Sequence, residues 1–210
     1  RKRFGRPVSL INDARAGVLG ERWIGAARGS ENAVYITLST GIGGGAVVNG
    51  SLLLGKDGNA GEIRHIPIDT RCNLICGCGF AGHWEAYASA KNIPTFFAAW
   101  QEAAGLRQVS FDTCSTQAIF EAAREEDAVA LAFVEALGKV NARGVSGVIV
   151  AYNPEIIVFD GPLARYHGDI VIRYMEPFID RYLTLPRLAV SSLDGKAPLF
   201  GAALYALEAL

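Results

Sequence analysis

Nowhere in its 210 residues does the chain hold an uninterrupted apolar run approaching the roughly 18 to 20 positions needed to cross a bilayer. The opening Arg1-Lys2-Arg3 is not followed by the apolar core of a secretion signal. Both absences lead us to expect a cytoplasmic protein with no membrane partner. An excess of charge of one sign is missing too. Twenty Lys and Arg stand against 21 Asp and Glu, scattered along the chain, which argues against a nucleic-acid or anionic-lipid surface. A small molecule is the expected partner. Cysteine is scarce: the chain has four, and three of them fall at Cys72, Cys76 and Cys78, too few and too local for a disulfide framework. Metal binding explains that cluster better.

Half the residues are hydrophobic, enough for one well-packed core and too few for two large ones, so one compact lobe is expected. The first residue is Arg rather than Met, and Val8-Ser9-Leu10-Ile11 already reads as a strand. On this reading the sequence starts in mid-domain, and an upstream segment is expected.

Along the chain, a helix is predicted from Asp13 to about Ala27, ending at Arg28-Gly29. The β-branched stretch 33–38 runs into Ser39-Thr40-Gly41-Ile42-Gly43-Gly44-Gly45 before Ala46-Val47-Val48 resumes a strand pattern, a hairpin with a glycine-rich turn. Asn49-Gly50 marks a further turn, and residues 62–65 are expected on a sheet edge. Helical patterns then cover 84–90, 92–104, 115–124 and 127–152, the last ended by Asn153-Pro154. A buried strand at 156–161, a helix near 169–182, a short strand at 189–191 and a final helix from Gly201 complete the pattern. Early hairpins and late alternation of strand and helix predict a mixed α/β lobe.

Chemistry concentrates in three places. His65, Cys76, Cys78 and His83 offer four N or S ligands, the number zinc prefers, and Gly77, Gly79 and Gly82 suit a chain folded tightly round an ion. Cys72 is a spare candidate that could replace His83. The turn from Thr40 to Gly45 could present backbone N–H groups and a hydroxyl to a phosphate, or could simply be a tight hairpin; it lacks the Gly-Lys-Ser/Thr of a P-loop. Asn12, Asp13, Glu62, His65 and Glu85 form a polar set of the kind that holds sugar hydroxyls. Taken singly, Asp13 could merely cap a helix, Glu62 could be a solvated edge residue, and Glu85 could complement a helix dipole.

Taken together and in order, these segments resemble the ROK family (repressors, open reading frames and kinases), over nearly the whole chain. Residues 11–16 are similar to its Asn-Asp-Ala segment, 35–45 to its second phosphate-binding segment, and Gly61-Glu62-Ile63-Arg64-His65 to its Glu-x-Gly-His segment. Residues 76–85 resemble its zinc loop and the glutamate after it, while 153–158 and 200–203 resemble its adenosine-side strand and terminal helix.

The resemblance implies an actin-like ATPase fold of the ribonuclease H-like kind. This chain would be the larger, C-terminal, sugar- and zinc-binding lobe, residues 1–210, and the N-terminal phosphate-binding lobe would lie outside it. It implies an ATP-dependent hexose kinase, glucose-like in substrate, in which Asp13 accepts the proton of the sugar's 6-hydroxyl and Asn12, Glu62, His65 and Glu85 bind hydroxyls. Thr40 and Gly41 would face the phosphates, and Gly161 the adenosine. Zinc on His65, Cys76, Cys78 and His83 would be structural, with Mg and ATP as the other small partners. A homodimer is expected, and the isolated lobe should be a poor kinase. The alternative within the family is a sugar-sensing repressor without enzymatic activity; outside it, a small zinc module binding nucleic acid or protein would require a basic surface. Three positions depart from the family pattern, which has cysteine at His83, glycine at Arg64 and asparagine at Arg15.

Overall fold

The computed structural model describes residue 5 and residues 8–69, 71–106 and 114–208; Arg1-Lys2-Arg3 lies outside the described residues. In chain order the main elements are α1 (Asp13–Ile24), β1 (Ala33–Leu38), β2 (Ile42–Val48), β3 (Ser51–Leu52), a 3-10 turn (Ile63–His65), α2 (Glu85–Ala88), α3 (Ile93–Ala103), α4 (Thr116–Arg124), α5 (Ala128–Tyr152), β4 (Ile156–Asp160), α6 (Pro162–Met175), β5 (Arg187–Val190) and α7 (Ala197–Glu208). The strands form one sheet in the order β3-β2-β1-β4-β5. β1 pairs antiparallel with β2 and parallel with β4, and β4 runs parallel to β5, so the predicted mixed α/β architecture is the observed one.

Two cores lie on opposite faces of this sheet, and the strand period of two sorts residues between them. Val34, Ile36 and Leu38 of β1, with Ile157 and Phe159 of β4, join the larger core, which includes Phe97, Phe133 and Val145 from α3 and α5. Ala33, Tyr35, Ile156 and Val158 face the smaller core with Ala14, Val18 and Leu19 of α1 and Ala197 of α7. Every residue of β4 is buried, as a strand covered on both faces must be.

Several local readings of the sequence are corrected. Residues 8–12 form no strand: Val8 and Leu10 are exposed, and among the described residues nothing pairs with them. The turn after β1 is confined to Ser39–Gly41, and Gly43 to Gly45 belong to β2 instead. Those glycines let α1 lie directly on the strand, since a Cβ on Gly45 would collide with the backbone carbonyl of Ala14. Residues 63–65 make a 3-10 turn rather than a sheet edge. α6 begins seven residues earlier than expected from its apolar pattern, because Gly161 and Pro162 start it at once after β4. α7 likewise starts at Ala197, ahead of Gly201.

Candidate functional site

The N-terminus of α1 opens onto the carboxyl end of β1. Asn12 caps this helix, its Oδ1 accepting from the backbone N–H groups of Ala14 at 3.0 Å and Arg15 at 3.3 Å. The cap is therefore Asn12, and the exposed Asp13 is left in the first turn with Oδ1 taking only its neighbour's N–H at 2.8 Å. Asn12, Asp13, Gly41, Glu62, Arg64 and Glu85 line one cleft of about 180 Å³, whose floor includes Thr37 and Ser39. Thr40 stands exposed at the tip of the turn, outside that lining. Gly161, with φ at +90°, sits at the carboxyl end of β4 against the Leu38 carbonyl. Ligands of open α/β sheets gather at this end of the strands.

Glu85 reaches the cleft from α2, and its Oε2 accepts from the backbone N–H of Ile42 at 3.1 Å. Gly41 makes room for it: a Cβ there would lie 2.6 Å from the same oxygen. Glu85 is held in place by its neighbour Trp84, which is fully buried and donates its indole N–H to Asn141 Oδ1 of α5 at 2.9 Å. On the other side of Trp84 lies His83, so one anchored residue positions both flanking groups.

Behind the cleft, one ligand atom each from His65, Cys76, Cys78 and His83 lies within 4.8 Å of all the others. An isolated bridge between Pro67 and His83 brings the histidines together, and the Gly79 N–H donates to the Cys76 carbonyl at 2.8 Å to close the cysteine turn. Nδ1 of His65 is 3.3 Å from Nδ1 of His83, Cys78 Sγ is 3.2 Å from His83 Nδ1, and Cys76 Sγ is 3.9 Å from His65 Nδ1. A tetrahedral zinc ion with ordinary bond lengths needs N–N edges of about 3.3 Å and N–S edges of about 3.6 Å, so the donor set fits in chemistry and in spacing. Burial pushes the Cys76 thiol up, with the neighbouring Cys78 and Glu85 adding to the rise. Cys72 lies outside this group; its N–H donates to Asp69 Oδ2 at 3.1 Å.

The two departures at arginine positions have different structural consequences. Arg15 is 7 % exposed and its Nε and Nη2 both donate to the Ala60 carbonyl, at 3.1 and 2.8 Å, which ties the loop before Glu62 to α1. Arg64 turns into the cleft. Its Nε is 2.9 Å from Glu62 Oε2 and donates to His65 Nε2 at 3.0 Å. That second bond requires a bare Nε2, whereas a metal on Nδ1 places the ring proton on Nε2, so the two arrangements exclude each other.

Sequence reasoning did not single out Thr37 and Ser39 of the cleft, Arg15 as a loop clamp, or the buried pair of Tyr35 and Asp160 beneath Gly161. Thr37 and Ser39 carried a readable signal, being polar residues at the end of an apolar strand. Asn141 carried none, because its partner Trp84 is distant in sequence.

The described residues thus form a mixed α/β lobe with a carboxylate-lined cleft at the carboxyl end of its sheet and a His-Cys cluster beside it. The ROK glucokinase from Streptomyces griseus, solved with glucose and AMPPNP, matches with a TM-score of 0.80 and 31 % identity over 99 % of this chain and 70 % of that one. A ROK family transcriptional regulator, a homologue of the E. coli MLC protein, matches with a TM-score of 0.78 at 31 % identity, covering 97 % of this chain and 52 % of the other. By sequence, the glucokinase of Pyrobaculum calidifontis is 41 % identical over 182 residues, which are 87 % of this chain and 58 % of that protein. The chain thus spans little more than half of that relative. Residues 1–209 match the model of the ROK family, and the chain belongs to it.

Proposed function

We propose that this chain is the larger lobe of a two-lobed, actin-like kinase that transfers a phosphoryl group from ATP, with Mg, to the 6-hydroxyl of a glucose-like hexose. The observation that carries this reading is the convergence of Asn12, Asp13, Glu62 and Glu85 on one cleft beside the Ser39–Gly41 turn. Its volume, about 180 Å³, falls short of the roughly 300–1,000 Å³ usual for a complete small-molecule pocket, which suits one wall of a site closed by a second lobe.

In the proposed reaction the sugar's O6 attacks the γ-phosphorus, the bond from that phosphorus to the bridging oxygen breaks, and ADP leaves. Asp13 accepts the O6 proton. Because the transition state is loose, positioning dominates over basicity, and an exposed carboxylate at a helix N-terminus suffices. Glu62 and Glu85 accept from sugar hydroxyls, and Asn12 uses its free amide N–H₂ while its oxygen caps α1. Thr40 and Gly41 face the phosphates, and Gly161 the adenosine.

His65, Cys76, Cys78 and His83 would hold zinc. The ion would supply structural crosslinking of the 65–83 segment and fix the His65 ring. With Nδ1 so engaged, Nε2–H of His65 is free to donate to a sugar oxygen, and Arg64 keeps only Glu62. The likeness to a transcriptional regulator supports a second reading, a lobe that binds sugar without phosphorylating it.

Incubating the whole protein with Mg-ATP and a panel of hexoses tests the proposal. Sugar phosphate and ADP in equal amounts are expected. No turnover with any common hexose would overturn the kinase reading, and sugar binding without turnover would favour the regulator.

A further inference from the structure

Among the described residues Arg64 is the one cation lining the cleft, with three carboxylates from Asp13, Glu62 and Glu85. Its Nε lies 2.9 Å from Glu62 Oε2, the contact that remains when Nδ1 of His65 holds a metal, while neither Nη nitrogen has a protein partner among the described residues. The pair is not sealed in: the Arg64 and Glu62 side chains are 42 % and 39 % exposed. An arginine pinned through Nε leaves the two Nη nitrogens as a second fork, and such a fork matches a carboxylate bidentately. Glu62, in turn, is one of the acceptors that the sugar-site reading assigns to hydroxyls. A neutral sugar has to compete with the guanidinium for that carboxylate and offers nothing to the unused fork.

We propose that Arg64 is a specificity-determining residue of this cleft, weakening its hold on neutral hexoses and favouring sugars that carry an anionic substituent. The inference rests on the sugar-site reading above and deepens it. A neutral hexose binds only by sharing Glu62 with Arg64. A hexose that keeps its 6-hydroxyl and carries a carboxylate on a substituent of another ring carbon binds with that carboxylate on the Nη fork and a hydroxyl on Glu85, so the Arg64–Glu62 pair stays intact.

The test is calorimetric binding of glucose and of 3-O-carboxymethylglucose, which differ by one carboxylate and both keep the 6-hydroxyl, to the whole protein, compared for the wild type, Arg64→Gly and Arg64→Lys, with thermal unfolding as the folding control. Arg64→Gly should tighten glucose and weaken 3-O-carboxymethylglucose, moving the ratio of the two affinities by roughly tenfold or more, the scale of one charge-assisted bidentate pair. Arg64→Lys keeps the charge without the fork and should fall between the two. A ratio unchanged within about twofold in Arg64→Gly would overturn the role of Arg64 and leave the sugar site standing. Failure of the wild type and both variants to bind either sugar would instead overturn the sugar-site reading, and this inference with it.

Discussion

The Tyr35 hydroxyl donates to Asp160 Oδ2 at 2.9 Å, across the parallel β1–β4 pair and wholly inside the protein. The other Asp160 oxygen accepts from the Gly161 N–H at 2.7 Å and lies 3.4 Å from Arg165 Nη1, so this carboxylate fixes the entry into α6. Removing it in Asp160→Ala leaves the hydroxyl and the arginine without their acceptor, and a loss of about 2–4 kcal/mol is expected in urea unfolding. Tyr35→Phe should cost about 1 kcal/mol.

The same pair sets a pH response. Burial, then the charge of Asp160, raises the Tyr35 phenol far above its ordinary value of 10.0. A raised folded-state pKa means that the unfolded chain releases the proton first. This contribution to stability is therefore complete below pH 10.0 and is lost as the pH climbs beyond it. Urea midpoints measured from pH 9 upward should fall for the wild type, and the slope should lessen in Tyr35→Phe.

Gly41 offers a substitution that perturbs the cleft without disturbing the core. A Cβ at this position meets only the flexible end of Glu85, 2.6 Å from Oε2. Gly41→Ala is expected to push Glu85 off the Ile42 N–H, leave the melting temperature within a few degrees, and weaken sugar binding roughly tenfold, the worth of one hydrogen bond to a charged group. Calorimetry and thermal unfolding on the same preparation check both halves.

Metal content separates the four clustered side chains from Cys72. About one zinc per chain is expected, with X-ray absorption showing two nitrogen and two sulfur ligands. Cys76→Ser, Cys78→Ser and His83→Ala should each lower the zinc content, whereas Cys72→Ser should retain it, because Cys72 lies outside the group.

Asp13→Asn keeps the size and the local hydrogen-bonding ability of the side chain while abolishing its role as a base. Steady-state kinetics of the whole protein should show kcat reduced by about 10²–10⁴ with KM little changed. An unaltered kcat would remove Asp13 from the chemistry.

The sequence by itself determined most of the elements, and it singled out Asn12, Asp13, Glu62 and Glu85, which the fold brings to one cleft. Period-two and period-3.6 apolar patterns located β1, β4, α3, α4 and α5 within a residue or two, since burial of one face is written into such patterns. The His65, Cys76, Cys78 and His83 set was legible because its members lie close together along the chain. Where local chemistry competed with pattern, reading failed: Val8 to Ile11 has strand composition but no ladder partner among the described residues, and Pro162 starts α6 ahead of its apolar stripe.

Tertiary structure alone decided the rest, because long-range proximity leaves no mark on neighbouring residues. It brought Asp13, Glu62 and Glu85 from three separate segments to one cleft, and it chose Asn12 rather than Asp13 as the cap of α1. It left the spare candidate Cys72 outside the group of His65, Cys76, Cys78 and His83, where a backbone bridge to Pro67 holds His83. Arg64 is the sharpest case. Its charge was visible in the sequence, but only the folded turn from Ile63 to His65 could set that charge on Glu62 at the lining of the cleft.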